Sequence, residues 1–396
     1  MSTPSTLNHM PLATLSAARA KPTRQRFSAF RSRSGEHRPR LVKSSGAALQ
    51  RRPTMENVSA RMATEVPASA DLTEIRTDYD ALQRGAGVRA MFERKLIRVL
   101  GADRASFLHG MCSNDIKNAR PGAIVPALFL TERAHLIAEF FAWIDHDSIL
   151  IEIDGAGWGR AREHLERLLV ADDVEFEDCP DLVALDIEGP RAAEAIRTVT
   201  NDALLPEKWR WARVGEILLG NLPRFEACAG TLLLPRAQLA SATSSVVALG
   251  TGFRSVKSAA IDIVRVENGI ARVGLDTTDK TIALEARLNR AISFDKGCYV
   301  GQETIERATA RGGLKKKLFG LLFEGERTPA PEAVARLDGK EVGRVSSVAA
   351  SPRLGAIGLA ILNRSAWDSG TLLLVTDPSG DIAARVSDIP FARGLK

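Results

Sequence analysis

The chain has 396 residues, 45% of them apolar and 26% charged, which is enough for two or three compact units of ordinary composition. No run approaches the ~18 consecutive apolar residues of a spanning helix, so a helical membrane protein is excluded and a soluble one expected. The net charge of +6 is concentrated at the N-terminus, where residues 1–55 hold 11 Lys or Arg against the single acid Glu36. The remainder is mildly acidic, and no nucleic-acid role follows from the high pI.

Residues 1–62 are rich in Arg, Ser, Ala and Pro and contain no apolar secretory core. Their composition resembles an organellar transit peptide, which implies a mitochondrial or plastid matrix. The alternative is an over-long gene start, with translation from Met55 or Met62 and a cytoplasmic location. Either way the segment is expected to be disordered and outside the fold.

Residues 63–314 read as an α+β body. "KLIRVLG" (Lys95 to Gly101) predicts a strand, and "ADRASFLHGM" a helix with Phe107, Leu108 and Met111 on one face. "HLIAEFFAWIDHDSILIEID" predicts two strands around Asp145-His146-Asp147, and "WGRAREHLERLLV" an amphipathic helix. Residues 315–396 contain short, closely spaced strands and the hairpin signal Asp338-Gly339, which predicts a small all-β barrel or sandwich.

Several motifs invite chemistry. Gly155, Gly157 and Gly159 follow a strand and precede a helix, but the spacing is wrong for a dinucleotide fingerprint and a plain strand-to-helix turn is the better reading. The six histidines show no metal-ligand spacing, and no metal site is expected. Glu139 stands on an apolar strand, sharing a face with Phe141 and Trp143 by period-two alternation. A carboxylate there suits the amino-pyrimidine edge of a pterin, while the plain alternative is an edge-strand acid in solvent. Arg265 and Glu267 precede the turn Asn268-Gly269, and such alternating charges are expected to be solvated.

The four cysteines lie 67, 49 and 70 residues apart, which excludes paired zinc or redox motifs and fits a reducing compartment. Cys298 stands out, set between Gly297 and Gly301 in "KGCYVGQE" just before a helix predicted to begin near Gln302. Lys296 and the helix N-terminus favour a thiolate, the glycines leave room at the sulfur, and Glu303 can reach Arg307 one turn on. A reactive thiol and a packed turn cysteine both remain open.

K-G-C-Y-x-G-Q-E, with "RVENGIARVGLD" and "LEARLNRAISFD" before it and "RGGLKKKLFGL" after it, resembles the signature of the YgfZ family of folate-binding proteins, relatives of the glycine-cleavage T protein. With "VLGADRASFLHGMCSNDI", the likeness runs from about Tyr79 to the C-terminus. It implies an aminomethyltransferase-like fold, with a three-part α+β body around a folate-sized channel and a C-terminal β-barrel. It also implies binding of tetrahydrofolate or a derivative, and a role in assembling or repairing iron–sulfur enzymes, including some that modify tRNA. Cys298 is by this resemblance the central residue. Lys296 is expected to support its thiolate, with Gly297, Tyr299, Gly301, Gln302, Glu303 and Arg307 completing the loop, while Glu139, Arg265 and Glu267 are candidate folate contacts.

The chain departs from the glycine-cleavage relatives at three places. Cys228 in "EACAG" stands where their pterin glutamate belongs, with Glu226 two residues away; Glu139 replaces an Asp; Ala134 and His135 replace a glycine-arginine pair. The expected partners are folate and iron–sulfur clients or assembly factors, without membrane or direct nucleic acid. The first alternative is a folate-dependent aminomethyl or methyl transferase. The second is a non-catalytic RNA-binding module using Lys315-Lys316-Lys317, a run otherwise read as a solvated strand edge.

Overall fold

The computed structural model describes residues 69–225, 229–310 and 313–391. The expectations for the leader, 1–62, and for Glu226 and Cys228 lie outside the described residues. The order begins with α1 (Ser69–Arg84), β1 (Ala86–Ala90), β2 (Arg94–Leu100), α2 (Arg104–Met111), β3 (Ile124–Leu130), β4 (Leu136–Ile144), β5 (Ile149–Asp154) and α3 (Gly155–Leu168). It continues through β6 (Glu175–Asp178), β7 (Leu182–Glu188), α4 (Ala192–Val199), β8 (Trp211–Val214), β9 (Ile217–Gly220), β10 (Ala229–Pro235), α5 (Leu239–Val247), β11 (Phe253–Ser255) and α6 (Ser258–Glu267). After α7 (Gln302–Ala310) come β12 (Lys316–Phe323), β13 (Val334–Leu337), β14 (Lys340–Ser351), β15 (Gly355–Asn363), β16 (Leu372–Asp377) and β17 (Gly380–Ser387).

The body contains two sheets, ordered β11-β1-β7-β10-β9-β8 and β3-β4-β5-β2-β6. Strand β4 shows why they assemble as they do. Its Ala138, Phe140 and Ala142 join the core under α3, while Phe141 and Trp143 on the opposite face pack with Leu218 and Leu233 of the other sheet. Both faces are covered, which is why the strand reads as nearly continuous apolar sequence. Where the sheets meet, Gly220 is required: a Cβ there would lie 2.4 Å from the Trp143 indole.

Gly155, Gly157 and Gly159 open α3, and the Asp154 carboxylate caps it by accepting from the amides of Ala156 and Gly157. A carboxylate thus occupies the place where a phosphate would bind, as the turn reading requires.

The C-terminal strands close into a barrel ordered β12-β15-β14-β13-β16-β17 and sealed by pairing of β12 with β17. Asp338 and Gly339 both have positive φ, 49° and 77°, matching a primed hairpin turn. The barrel is closed, but at the start of β12 Lys316 and Lys317 pair only with β15 and the β17 pairing begins at Gly320, so the run from Lys315 to Lys317 keeps one open side, with Lys315 and Lys316 exposed as a solvated edge. Lys317 lies over the Phe319 ring, 6.0 Å from its centroid.

Arg265 and Glu267 require a correction, because only 5% and 4% of them is exposed. They sit in the last turn of α6, against the barrel. Arg265 donates to Asp262, Asp276, the Ile270 carbonyl and Ser347 Oγ of β14. Glu267 accepts from Tyr79 Oη at 2.9 Å, from Ser351 Oγ of β14 and from Arg353 at 3.3 Å. Alternating charges next to a turn look solvated in sequence; here they join body to barrel. Among the described residues no helix is long and apolar enough to cross a membrane.

Candidate functional site

The octapeptide loop is pinned on both sides of Cys298. On its N-terminal side, Lys296 is 7% exposed and its ammonium donates to the carbonyls of His109, Cys112 (2.8 Å) and Asn114 (2.9 Å). These carbonyls lie at and just beyond the end of α2, where helix carbonyls lack intrahelical partners and the dipole favours a cation. All three ammonium protons are therefore engaged. Lys296 anchors the loop and does not support the Cys298 thiolate, which corrects the expectation. Burial holds its pKa below the ordinary lysine value, with Cys112 and Asp115 opposing the shift.

On the other side, Gly301 has φ 88°, and a Cβ there would lie 2.7 Å from the Thr131 carbonyl and 3.1 Å from the Ala134 Cα. This glycine permits close packing on the β3–β4 turn and does not open space for the sulfur. At Gly297 a Cβ would meet no atom within 4 Å, so sterics do not demand glycine there. The buried Tyr299 ring, 5.0 Å from Lys296 Nζ, further fixes the loop, and burial pushes its hydroxyl up to about 12, with Glu306 and Cys112 adding to the shift. Ala134 in the β3–β4 turn adopts φ 60°, a left-handed conformation that glycine favours.

Gln302 and Glu303 begin α7 as expected, but their partners lie within that helix. Gln302 donates to Glu306 at 2.6 Å, and the exposed Glu303 pairs with Arg307. They stabilise the helix start and do not orient the loop. Cys298 itself is exposed, a free thiol with no hydrogen bond or ion pair among the described residues. Anchored at Lys296 and Gly301, the loop holds out its sulfur.

Glu139 is neither on an edge nor in open solvent, contrary to the simpler expectation. Strand β4 lies between β3 and β5, and the Glu139 side chain is 15% exposed and bound by Arg290 at 3.1 Å. Arg290 belongs to a short turn, Asn289–Ala291, just upstream of the octapeptide. Its carbonyl accepts from Asn114 Nδ2 at 3.5 Å, while its Nε is buried without a partner. The segment that presents Cys298 is thus tied to the strand carboxylate through Arg290. Arg265 and Glu267 are not part of this arrangement.

A buried charge cluster between the two sheets escaped sequence reasoning. Glu152 of β5 receives Arg224 and, at 3.1 Å, Arg94; Arg224 also donates to Asp186 of β7 at 2.8 Å. Both guanidiniums lie over the Phe141 ring, at 5.4 Å for Arg94 and 4.9 Å for Arg224. Burial would raise the Glu152 pKa, but Arg224 and Arg94 outweigh it and hold the carboxylate ionised. Glu188, two residues beyond Asp186 on the same face, receives no hydrogen bond among the described residues. Burial and the Asp186 charge push it up to about 8. The signal was an acid inside an apolar run, "ILIEID" and "LVALDIE", the same signal that marks Glu139.

With fold and site in place, comparisons agree on ancestry. Residues 55–296 match the GCVT N-terminal domain, and residues 316–392 the glycine cleavage T-protein C-terminal barrel domain. A protein named as a putative chloroplastic transferase of Arabidopsis thaliana is 27% identical over 79% of this chain and 72% of its own length. An aminomethyltransferase of Thermosipho melanesiensis is 23% identical over 81% of this chain and 90% of its own. The crystal structure of the glycine cleavage aminomethyltransferase T from Bartonella henselae superposes with a TM-score of 0.73 at 19% identity, covering 85% of this chain and 96% of that one. The chain belongs to the GCVT family, with the two-sheet N-terminal body and C-terminal barrel of that fold.

Proposed function

We propose that this protein binds tetrahydrofolate or a derivative and acts as an accessory factor in assembling or repairing iron–sulfur enzymes, with Cys298 as the thiol presented to the client. The observation that carries this reading is the contrast between an exposed sulfur on a doubly anchored loop and a partly buried Glu139–Arg290 pair tied to that loop. A loop built to hold a thiol outward suits a partner protein better than an internal substrate.

The interior pair fits a pterin. Glu139 supplies two acceptor oxygens for an amino-pyrimidine edge, and the unpartnered Nε of Arg290 supplies a buried donor that wants an acceptor. When bound, the folate supplies one-carbon chemistry; Glu139 and Arg290 orient it. Cys298→Ala should fail to restore iron–sulfur enzyme activity in cells lacking the protein, while still folding and binding folate. Full restoration by that variant contradicts the thiol's role.

A second reading is folate-dependent one-carbon transfer, the activity named for the aminomethyltransferase relatives. It is favoured by Glu188, a buried carboxyl that burial and the neighbouring Asp186 charge push above the ordinary carboxylate range. Single-turnover transfer to tetrahydrofolate, lost in Glu188→Gln and in Glu139→Gln, would establish it.

A further inference from the structure

The segment that presents Cys298 holds out a second side chain. Phe294 is 50% exposed and lies two residues before Lys296, as the exposed Cys298 lies two residues after it. The backbone around them is fixed at several points. The Ser293 amide donates to the Ser113 carbonyl at 2.9 Å, Lys296 donates to three carbonyls, and the Val300 amide donates to the Gly110 carbonyl at 3.2 Å. Ile292 and Tyr299, at either end of this stretch, turn inward and are 6% and 9% exposed. Phe294 therefore faces water from a pinned segment.

A single exposed apolar residue is ordinary on a protein surface. Phe92, the other exposed phenylalanine among the described residues, shows the ordinary case: it sits in the β1–β2 turn with the Arg236 guanidinium over its ring at 5.8 Å. Phe294 has no aromatic or cationic ring contact among the described residues. It also stands close to the free thiol: four residues of chain place its Cα no more than about 14 Å from that of Cys298. One interface of standard size, about 800 Å² on each partner, covers both.

Aromatic rings are enriched at the cores of such interfaces, where a few anchors filling pockets carry most of the affinity. The charges around Phe294 and Cys298 are Asp115, Asp295, Glu303 and Glu306 against Lys117 and Arg307, while Lys296 is buried on backbone carbonyls. That excess of acid repels anionic lipid headgroups and suits a protein surface with a basic rim.

On the reading of Cys298 as the thiol presented to a client, we propose that Phe294 is the anchor that seats this client. Its ring fills an apolar pocket, rimmed by Lys or Arg, on the same iron–sulfur protein that meets Cys298. Docking through Phe294 is separate from folate binding at the Glu139–Arg290 pair and selects which protein reaches the thiol.

The test uses full-length variants in cells lacking this protein and, as purified probe, the iron–sulfur enzyme whose activity falls furthest in those cells. Phe294→Ser should weaken binding of that enzyme about thirtyfold, the ~2 kcal/mol of an anchor residue, and restore little of its activity in cells. Phe294→Leu, which keeps a large apolar side chain, should restore most of it. Asp295→Lys should slow association about fivefold at low salt. In Phe294→Ser the unfolding midpoint, the tetrahydrofolate affinity and the rate of Cys298 alkylation should match wild type, which separates lost docking from a disturbed loop. Binding unchanged in Phe294→Ser, or association unchanged in Asp295→Lys, with Cys298→Ala inactive, overturns the proposal and leaves the thiol reading standing. Full restoration by Cys298→Ala, or no iron–sulfur enzyme that depends on this protein, removes that reading and the anchor with it. Binding to phosphatidylserine vesicles that Phe294→Ser abolishes would assign the ring to a membrane and likewise overturn the proposal.

Discussion

Lys296 Nζ donates to the carbonyl of Cys112 at 2.8 Å, which places the lysine of the octapeptide on the end of a helix nearly two hundred residues earlier in the chain. Two further carbonyls complete its set of acceptors, so the group two residues from Cys298 acts on the backbone and not on the thiol. Lys296→Met should therefore destabilise the fold by about 3 kcal/mol, since charge-assisted bonds contribute more than neutral ones and buried carbonyls would be left without donors. The pH dependence of Cys298 alkylation in folded protein should be unchanged. Denaturant unfolding and iodoacetamide kinetics measure the two effects; a stable variant with slower alkylation near neutral pH would restore the thiolate-supporting role.

The two glycines flanking Cys298 should respond differently. Gly301→Ala places a methyl group 2.7 Å from the Thr131 carbonyl at a positive φ, and a loss of ~2 kcal/mol or more is expected. Gly297→Ala meets nothing within 4 Å and should change stability by no more than about 0.5 kcal/mol. Thermal and denaturant unfolding of both variants checks this; equal effects would show that the anchoring at the β3–β4 turn is misassigned.

These contrasts show what sequence could and could not supply. The strands around Asp145-His146-Asp147, the Asp338-Gly339 turn and the start of α7 depend on neighbours in sequence, and local pattern finds them. Lys296 and Gly301 depend on partners more than a hundred residues away, so their proximity to Cys298 in sequence suggested a local role that space does not support. Arg265 and Glu267 have a charge alternation that reads the same whether water or a barrel strand covers it. Glu152, Asp186 and Glu188 carry the same signal as Glu139, an acid in an apolar run, but only the facing sheet and Arg224 reveal which of them share a cluster.

Glu188 gives the fold a specific pH dependence. Its carboxyl is pushed up from the ordinary 4.5 to about 8 by burial and by Asp186, against the pull of Arg224 and Arg89. The folded state thus retains a proton that the unfolded chain releases, and stability from this group is full below about pH 4.5 and lost as pH rises through about 8. Glu152, shifted downward, contributes the opposite slope only at acid pH. The free energy of unfolding of wild type relative to Glu188→Gln should fall steadily from about pH 5 to about pH 8. A difference that stays constant over that window would mean that Glu188 is ionised in the folded protein.

The most direct test of the central claim is titration of the purified protein with tetrahydrofolate and with its 5-formyl form. Saturable binding is expected, weakened about tenfold or more by Glu139→Gln, which removes one charge-assisted acceptor, and unaffected by Cys298→Ala. Absence of saturable binding to either form, or binding indifferent to Glu139 in a folded variant, would contradict a folate site at the Glu139–Arg290 pair.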